Sequence, residues 1–575
     1  MNSPEPLSTP VRSRAPWVGG SLACALTLGL MIASEPPLAI VWDEGYTLLR
    51  LERVRAWFHC LSDPSSAAKA WNPRRLTRLE DKRPVPRADE IDTRSKLFSQ
   101  RNLAWFWPFA REEPHGHPPF YALVAFVGDT VAPSWGVLPR ARLGTIAAFS
   151  LVAGGLFAFA ASRWGAWPAI AACLAWVLHP HLFALGHYAT YDGLLASLWL
   201  AALILFLRAA PTSEAARPWP RWGATIAFGL VLGCALATKF TAWLLPLPLL
   251  VWVGLYRSRA GLVAWLAGGV IAVAVFVALC PPLWANPIAG MVAFFESNLS
   301  RASTIPIKTR FLGHDYLTPV ESLPWYNTVV WLFIASPILY LCLSLVGAIG
   351  TMRRWRAESA ACLFVMSAAF LFLLRALPHT PGHDGTRQLA VGFGSLAPLC
   401  GAGAALLMRR NRRAGRLLVC STALELSASV ALLMPVPLSY FSPIVGGLPG
   451  AAAIGMEPTY YWDALTPAAL QRIDARVPAG STVLFAANPT AWYYKEAGLL
   501  RSGLYPTDGE NISVYVVQNR AGSMSDRSRR LVADFGKRPE SVIMEKFGVP
   551  LVWAFPSSEL ESSKPARGSE STGGR

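Results

Sequence analysis

The chain has 575 residues, of which 53% are hydrophobic and only 15% charged, with a mean hydropathy of +0.36. A soluble globular domain carries about 25% charged residues, so this balance argues against a soluble protein and for a chain that crosses a membrane many times. A net charge of +17 would suggest nucleic acid in a soluble protein; here the basic residues read as topology signals, and no nucleic-acid partner is expected.

Apolar segments of spanning length fall near 18–41, 142–162, 166–185, 193–209, 222–238, 240–256, 262–281, 328–349, 357–375, 388–408 and 415–435. The fold class expected is an α-helical polytopic membrane protein of about 11 spans with a large first external loop and a small external C-terminal α/β domain. The first apolar run is longer than a usual signal-peptide core and more spans follow, so it reads as an uncleaved anchor. The polar links fall into two classes. One is basic and recurs at every second link: Arg12 and Arg14, Arg163, Arg208 to Arg221, Arg257 and Arg259, Arg353 to Arg356, and Arg409 to Arg416. The positive-inside rule assigns it to the cytoplasm. The other class, external by the same rule, holds every notable acid and histidine.

In chain order, residues 1–436 form the transmembrane module, with the first external loop at about 43–141. That loop opens on VWDEGY and is polar and proline-bearing around 73–96, so partly irregular. HPPFYALVAFVGDTVA (117–132) is apolar but short; it reads as an external helix lying at the interface or dipping into the membrane. Residues 437–556 form the external α/β domain, with STVLFA, ISVYVVQ and PLVWAF as strands. Residues 557–575, rich in Ser, Gly and charge, read as a disordered tail.

Several residues could carry chemistry. Asp43 and Glu44 sit where the first span is expected to end; a carboxylate there could act as a general base, its partner orienting it, although a solvated helix end has the same composition. Arg142, Asp192 and Lys239 each abut an apolar run on the external side. Ionisable groups at spans are costly and usually face an interior cavity with a partner, so three on one side suggest one cavity, whose cations could grip a phosphate and stabilise it as a leaving group. Taken singly, Lys239 could snorkel and Arg142 could anchor a helix end. HTPGHDGTR adds His379, His383, Asp384 and Arg387 on that side; its Gly and Pro interruptions and lack of helical spacing suit a loop contacting substrate or lipid phosphate better than a metal site. SYFSPIVGG (439–447) and GMEPTYYW (455–462) could pack on sugar or lipid, or form an interfacial aromatic belt. Eight of the nine cysteines lie in apolar runs and no C-x-x-C occurs, which disfavours a disulfide framework or metal cluster.

DEGY after the first apolar run, HPPFY opening a short helix, Arg142 in LPRARLG, Asp192 in YATYDGLLA and Lys239 in LATKFTA, in that order, resemble the membrane glycosyltransferases of the GT-C fold. They are most similar to glycosyltransferase family 39 and its bacterial relatives, the protein O-mannosyltransferases and the aminoarabinose transferases of lipid A. The resemblance covers about 40–260, and PPLWANP and LPWYN extend it weakly toward 335. It implies transfer of a sugar from a polyprenyl-phosphate donor to a lipid, glycan or protein acceptor on the outer face, with inversion. Asp43 would act as base, assisted by Glu44. Arg142 and Lys239 would fall near the donor phosphate, His117 near the substrate, and Asp192 would order the cavity. No cofactor is implied, and a divalent metal is not supported. The chain departs from the family in the Gly after DE and in a long basic insertion in the first loop, which put the acceptor in doubt. The expected location is the plasma (inner) membrane, multi-pass, with the site on the extracytoplasmic side. The alternative is a transporter or flippase of lipid-linked sugar, which would more often show internal repeats and spans broken at the midplane.

Overall fold

The computed structural model describes residues 15–76, 84–108, 117–211, 219–300, 307–318, 320–380, 385–488, 491–501, 503–507 and 511–562. His383 and Asp384, and the tail beyond 562, lie outside the described residues.

The protein is a mostly helical, multi-pass membrane protein. In hydrocarbon every backbone N–H and C=O must be satisfied within its own segment, and the apolar runs accordingly fold as helices. Among the described residues, seven helices are long and apolar enough to cross a membrane, and the pair Ala166–Val177 and Pro180–His187, bent by 63°, makes an eighth if it is one span. The other three expected spans fall on shorter apolar helices, Trp222–Leu236, Phe240–Tyr256 and Ile338–Arg353. Phe120–Val131 has 12 residues. At about 1.5 Å per residue it is too short to cross a hydrocarbon core of about 30 Å. Spanning helices pack closely where glycines meet: a Cβ on Gly20 would lie 2.7 Å from the carbonyl oxygen of Gly154.

Three details differ from the sequence reading. The first helix, Ala15–Ser34, stops seven residues short of the expected end at 41. Glu35 precedes Pro36, a position from which the α conformation is sterically disfavoured. The acidic pair therefore does not close the first span. It opens the next helix, Trp42–Ser62, in whose first turn both carboxylates lie, where the partial positive charge of a helix N-terminus favours them. Second, the expected span 166–185 is broken at His179, the residue before Pro180. Third, residues 557–562, expected in the tail, form a helix.

The expected small α/β unit is present. Strands β1 (Ile307–Phe311) and β2 (His314–Thr318) form an antiparallel hairpin apart from it. Strands β3 (Thr482–Phe485), β4 (Tyr505–Pro506), β5 (Val514–Gln518), β6 (Val542–Lys546) and β7 (Val549–Pro556) make a five-stranded sheet in the order β4-β3-β5-β7-β6. β3 runs parallel to β4 and β5, while β7 is antiparallel to β5 and β6. The segment leading into this sheet is tied to the start of helix Trp42–Ser62. The Trp42 N–H donates to the Tyr461 carbonyl at 3.4 Å, and the Tyr494 hydroxyl to the Ile40 carbonyl at 3.3 Å. The Trp42 and Trp462 rings stack with centroids 4.3 Å apart.

Asp463 is fully buried in this segment. Burial pushes its carboxyl up to about 7, with the backbone of Asp463 and Leu438 opposing. An unfolded Asp titrates near 3.9, so between about pH 4 and 7 the folded protein holds a proton that the unfolded chain has lost. The stability this group contributes thus falls as pH rises through that window and is level above it. Asp463→Asn is expected to be more stable than the wild type at pH 8, by on the order of 1–3 kcal/mol, and to match it near pH 4. Thermal melts of both proteins across that range check this; parallel pH profiles would refute it.

Candidate active site

Two buried ionic clusters lie side by side where several helices begin or end. The first is built on Arg142, in the second turn of helix Val137–Trp164. Its Nε and Nη2 donate to the two oxygens of Glu44 at 2.8 and 2.7 Å, its Nη1 to Glu35 at 2.7 Å and its Nη2 to the Ala39 carbonyl at 2.6 Å. Glu44 also accepts the Ala189 N–H at 2.9 Å. Arg142 and Glu44 have no exposed surface and Glu35 has 4%. A planar fork between two carboxylates uses the bidentate geometry that makes Arg, rather than Lys, suited to such a position. The cluster fixes the turn 35–44 against the helix behind it.

The second cluster is centred on Asp43. One oxygen, Oδ2, accepts the hydroxyls of Tyr191 at 2.5 Å and Tyr461 at 2.7 Å, and also the Arg387 guanidinium. Arg387 also faces Asp192 at 3.4 Å, and Asp192 accepts from Lys239 Nζ at 2.6 Å. The Lys239 ammonium lies over the Tyr191 ring, 4.7 Å from its centroid, and the His117 ring is 4.1 Å from the same ring. Gly193 lets this arrangement close: a Cβ there would lie 1.9 Å from the Leu185 carbonyl oxygen, so only glycine lets helix Tyr191–Ala209 start so near the preceding turn. Burial, with Asp43 next in influence, holds the Tyr461 phenol well above its ordinary value, so it stays a donor at neutral pH.

Two further cations stand at this cluster. Arg50 lies two turns after Asp43 on the same helix, with its guanidinium 5.1 Å from the Tyr121 ring centroid and within electrostatic reach of Asp43 and Tyr191. Burial pushes it down to about 9, Tyr191 and Asp43 pulling the other way, so it is charged at neutral pH. Arg375, at the end of helix Ser359–Ala376, is within reach of Asp192 and Arg387. Among the described residues, Arg50, Lys239, Arg375 and Arg387 thus gather around Asp43 and Asp192.

Of the residues singled out in the sequence, the structure brings Asp43, His117, Asp192, Lys239 and Arg387 into one cluster and places Glu44 and Arg142 in the adjoining one. His379 donates its backbone N–H to the Ser322 hydroxyl at 2.8 Å. Glu35, Arg50, Tyr191, Arg375 and Tyr461 were not singled out. Glu35 and Arg375 carried a readable signal, an ionisable side chain inside or at the end of an apolar run. Arg50 carried another, the i+7 position that shares a helical face with Asp43.

The fold and site define a polytopic helical membrane protein with a buried, cation-rich centre around one aspartate. Residues 116–282, less than a third of the chain, match the family model described as dolichyl-phosphate-mannose-protein mannosyltransferase, the family that the motifs around Asp192 and Lys239 resemble. Among solved structures, the chain is similar to ArnT from Cupriavidus metallidurans bound to undecaprenyl phosphate, at 15% identity and TM-score 0.48, covering 95% of this chain and 99% of that one. It is also similar to the archaeal oligosaccharyltransferase AglB from Archaeoglobus fulgidus in complex with an inhibitory peptide and a dolichol-phosphate, at 10% identity and TM-score 0.42, covering 87% and 69%. No curated protein matches the sequence.

Proposed function

We propose that the protein transfers a sugar from a polyprenyl-phosphate donor to an acceptor at the extracytoplasmic face of the membrane, inverting the anomeric carbon. The observation that carries this reading is the gathering of cations around the buried Asp43: Arg387 on its carboxylate, Lys239 and Arg387 on the neighbouring Asp192, and Arg50 and Arg375 within electrostatic reach. A phosphate group seated beside Arg387, Lys239, Arg375 and Arg50 would be held by charge-assisted hydrogen bonds. The family match over 116–282 supports the same donor chemistry.

In this mechanism the acceptor O–H attacks the anomeric carbon as Asp43 takes its proton. The bond from that carbon to the phosphate oxygen breaks, and the polyprenyl phosphate leaves with the electron pair. Its added negative charge develops against Lys239 and Arg387, whose stabilisation therefore grows along the reaction. Tyr191 and Tyr461 aim the Asp43 carboxylate. Glu44 and Arg142 hold the turn that carries it, which in this mechanism gives Arg142 a positioning role. Asp192 keeps Lys239 in place, and His117 packs on Tyr191 at the substrate side. Proton and phosphate are both handled by side chains, and the reading calls for no metal. A donor with its tail in hydrocarbon and its sugar in water suits a base at the end of the helices.

The experiment that tests the function is mass spectrometry of lipids, glycans and envelope proteins from cells with and without the gene. The expected result is loss of one sugar residue from one acceptor class and accumulation of the lipid-linked donor; unchanged acceptors and donor would reject the reading. The side of the membrane is tested separately. In cells carrying a variant without the native exposed thiols, a cysteine placed at 379 is expected to react with an impermeant external reagent and one at 354 is not. The reverse pattern would turn the protein over.

A further inference from the structure

The hairpin between β6 and β7 turns an aromatic side chain out of the fold. Lys546 pairs with Val549, so the turn consists of Phe547 and Gly548, with φ of +52° and +76°. A two-residue turn with both φ positive favours Asn-Gly, Asp-Gly or Gly-Gly, and a bulky side chain at its first position is strained. Phe547 nonetheless stands there, 51% exposed. An exposed Phe in an ordinary conformation needs no explanation. One held in the left-handed region, at a tip it does not help to fold, points to a use outside the fold.

The second observation is where that tip stands. Lys546 Nζ donates to the Leu432 carbonyl at 2.9 Å. Leu432 lies in the last turn of helix Arg412–Leu433, which is long and apolar enough to cross a membrane. The last carbonyls of a helix have no partner within it, and a cation there is favoured by the helix dipole. On the same helix Leu417, Leu424 and Leu432 are all exposed. About two turns separate each from the next, so they share one face, and around a spanning helix that face is covered by lipid. Phe547 therefore stands at the end of a lipid-covered face, with its ring centroid 5.9 Å from the Lys546 ammonium. The chain that continues from the helix end is uncharged from Met434 to Met456, exposes Ile444 and Ile454, and packs against β7 through helix Gly447–Ala453. The sheet has one face in the core that the spanning helices share; helix Asp526–Phe535 covers the other, over Tyr515, Val517, Trp553 and Phe555.

We propose that the β6–β7 tip is a membrane-docking element, whose partner is the lipid surface: the Phe547 ring enters the boundary between headgroups and acyl chains and holds the C-terminal sheet on the bilayer. Aromatic rings are enriched at that depth, and a lysine beside one keeps its stem in the apolar layer and its charge in the polar one. Contact of the ring with lipid offsets the cost of its backbone conformation. The proposal rests on the helices crossing the membrane and does not depend on what Asp43 does.

The test uses full-length protein carrying Cys342→Ala and Cys420→Ala, which removes the exposed thiols. Phe547→Cys is labelled with an environment-sensitive dye in nanodiscs of phosphatidylcholine brominated near the headgroup end of its acyl chains. Blue-shifted emission is expected, with severalfold stronger quenching by the brominated lipid than from the same dye on Asp526→Cys, a position 85% exposed on the helix that covers the far face of the sheet. Quenching no stronger at 547 than at 526 would overturn the proposal. Because the dye is itself apolar, a second measurement keeps the native side chain: hydrogen exchange of the amides of 542–549 in nanodiscs. Phe547→Asn suits the turn better than Phe does, so a melting temperature at or above that of the wild type is expected, and on turn preference alone the amides would exchange more slowly. Loss of docking predicts the opposite, exchange severalfold faster than in the wild type, restored by Phe547→Trp. Exchange in Phe547→Asn as slow as in the wild type, or slower, would overturn the proposal.

Discussion

Asp43→Asn is expected to lower sugar transfer by about 10²–10⁴-fold, the usual worth of a general base, in a protein that still folds and inserts. The amide keeps the shape of the carboxylate and can still accept the Tyr191 and Tyr461 hydroxyls, but it cannot take the acceptor's proton. Arg387 loses one partner and keeps Asp192 at 3.4 Å, which limits the cost of leaving a cation buried. Donor affinity is therefore expected to hold or rise, because the guanidinium is freed toward the phosphate. Turnover on purified protein, with donor affinity and melting temperature followed together, checks this. Wild-type turnover in the folded variant would remove Asp43 from the chemistry.

The second large effect is on stability. Arg142→Met leaves Glu35 and Glu44 facing each other without their cation, and both are buried. Removing one partner of a buried ion pair costs about 3–5 kcal/mol, so the variant is expected to express poorly or to melt far below the wild type. Arg142→Lys keeps the charge but offers a single point donor where Glu44, Glu35 and the Ala39 carbonyl are now held at once; an intermediate stability follows. The double variant Arg142→Met, Glu44→Gln should recover part of the loss. If Arg142 instead gripped donor phosphate, Arg142→Lys would retain stability and lose donor affinity, and the same two measurements would show it.

The sequence made the bundle legible because apolar length and basic punctuation are local signals. Every expected span corresponds to one or two apolar helices, and HPPFY does open a short helix at Phe120. Three strands of the C-terminal sheet, β3, β5 and β7, were legible as short β-branched and aromatic runs, whereas β4 and β6 were not singled out. The helix ends were less so: the apolar run continues past Ser34, and only the Glu35-Pro36 step stops the helix. The pairing inside the site could not be read at all. Asp43 meets Arg387 across 344 positions and Tyr461 across 418, and no single sequence carries a signal for contacts that distant. Tyr461 lay in a stretch singled out for its aromatic character, but nothing local separates one phenol that reaches an aspartate from its neighbours. Arg142 shows the opposite case: a cation beside an apolar run was visible, whereas Glu35, one of the two carboxylates it bridges, sat unremarked within the first apolar segment.

The most direct measurement of the central claim uses purified protein in nanodiscs with a labelled polyprenyl-phosphate sugar and the acceptor class lost on gene deletion. The account predicts acceptor-dependent release of polyprenyl phosphate, appearance of the label on the acceptor with the opposite anomeric configuration by NMR, and loss of both in Asp43→Asn. Retention of configuration, or movement of intact donor across vesicle membranes with no release of polyprenyl phosphate, would contradict it.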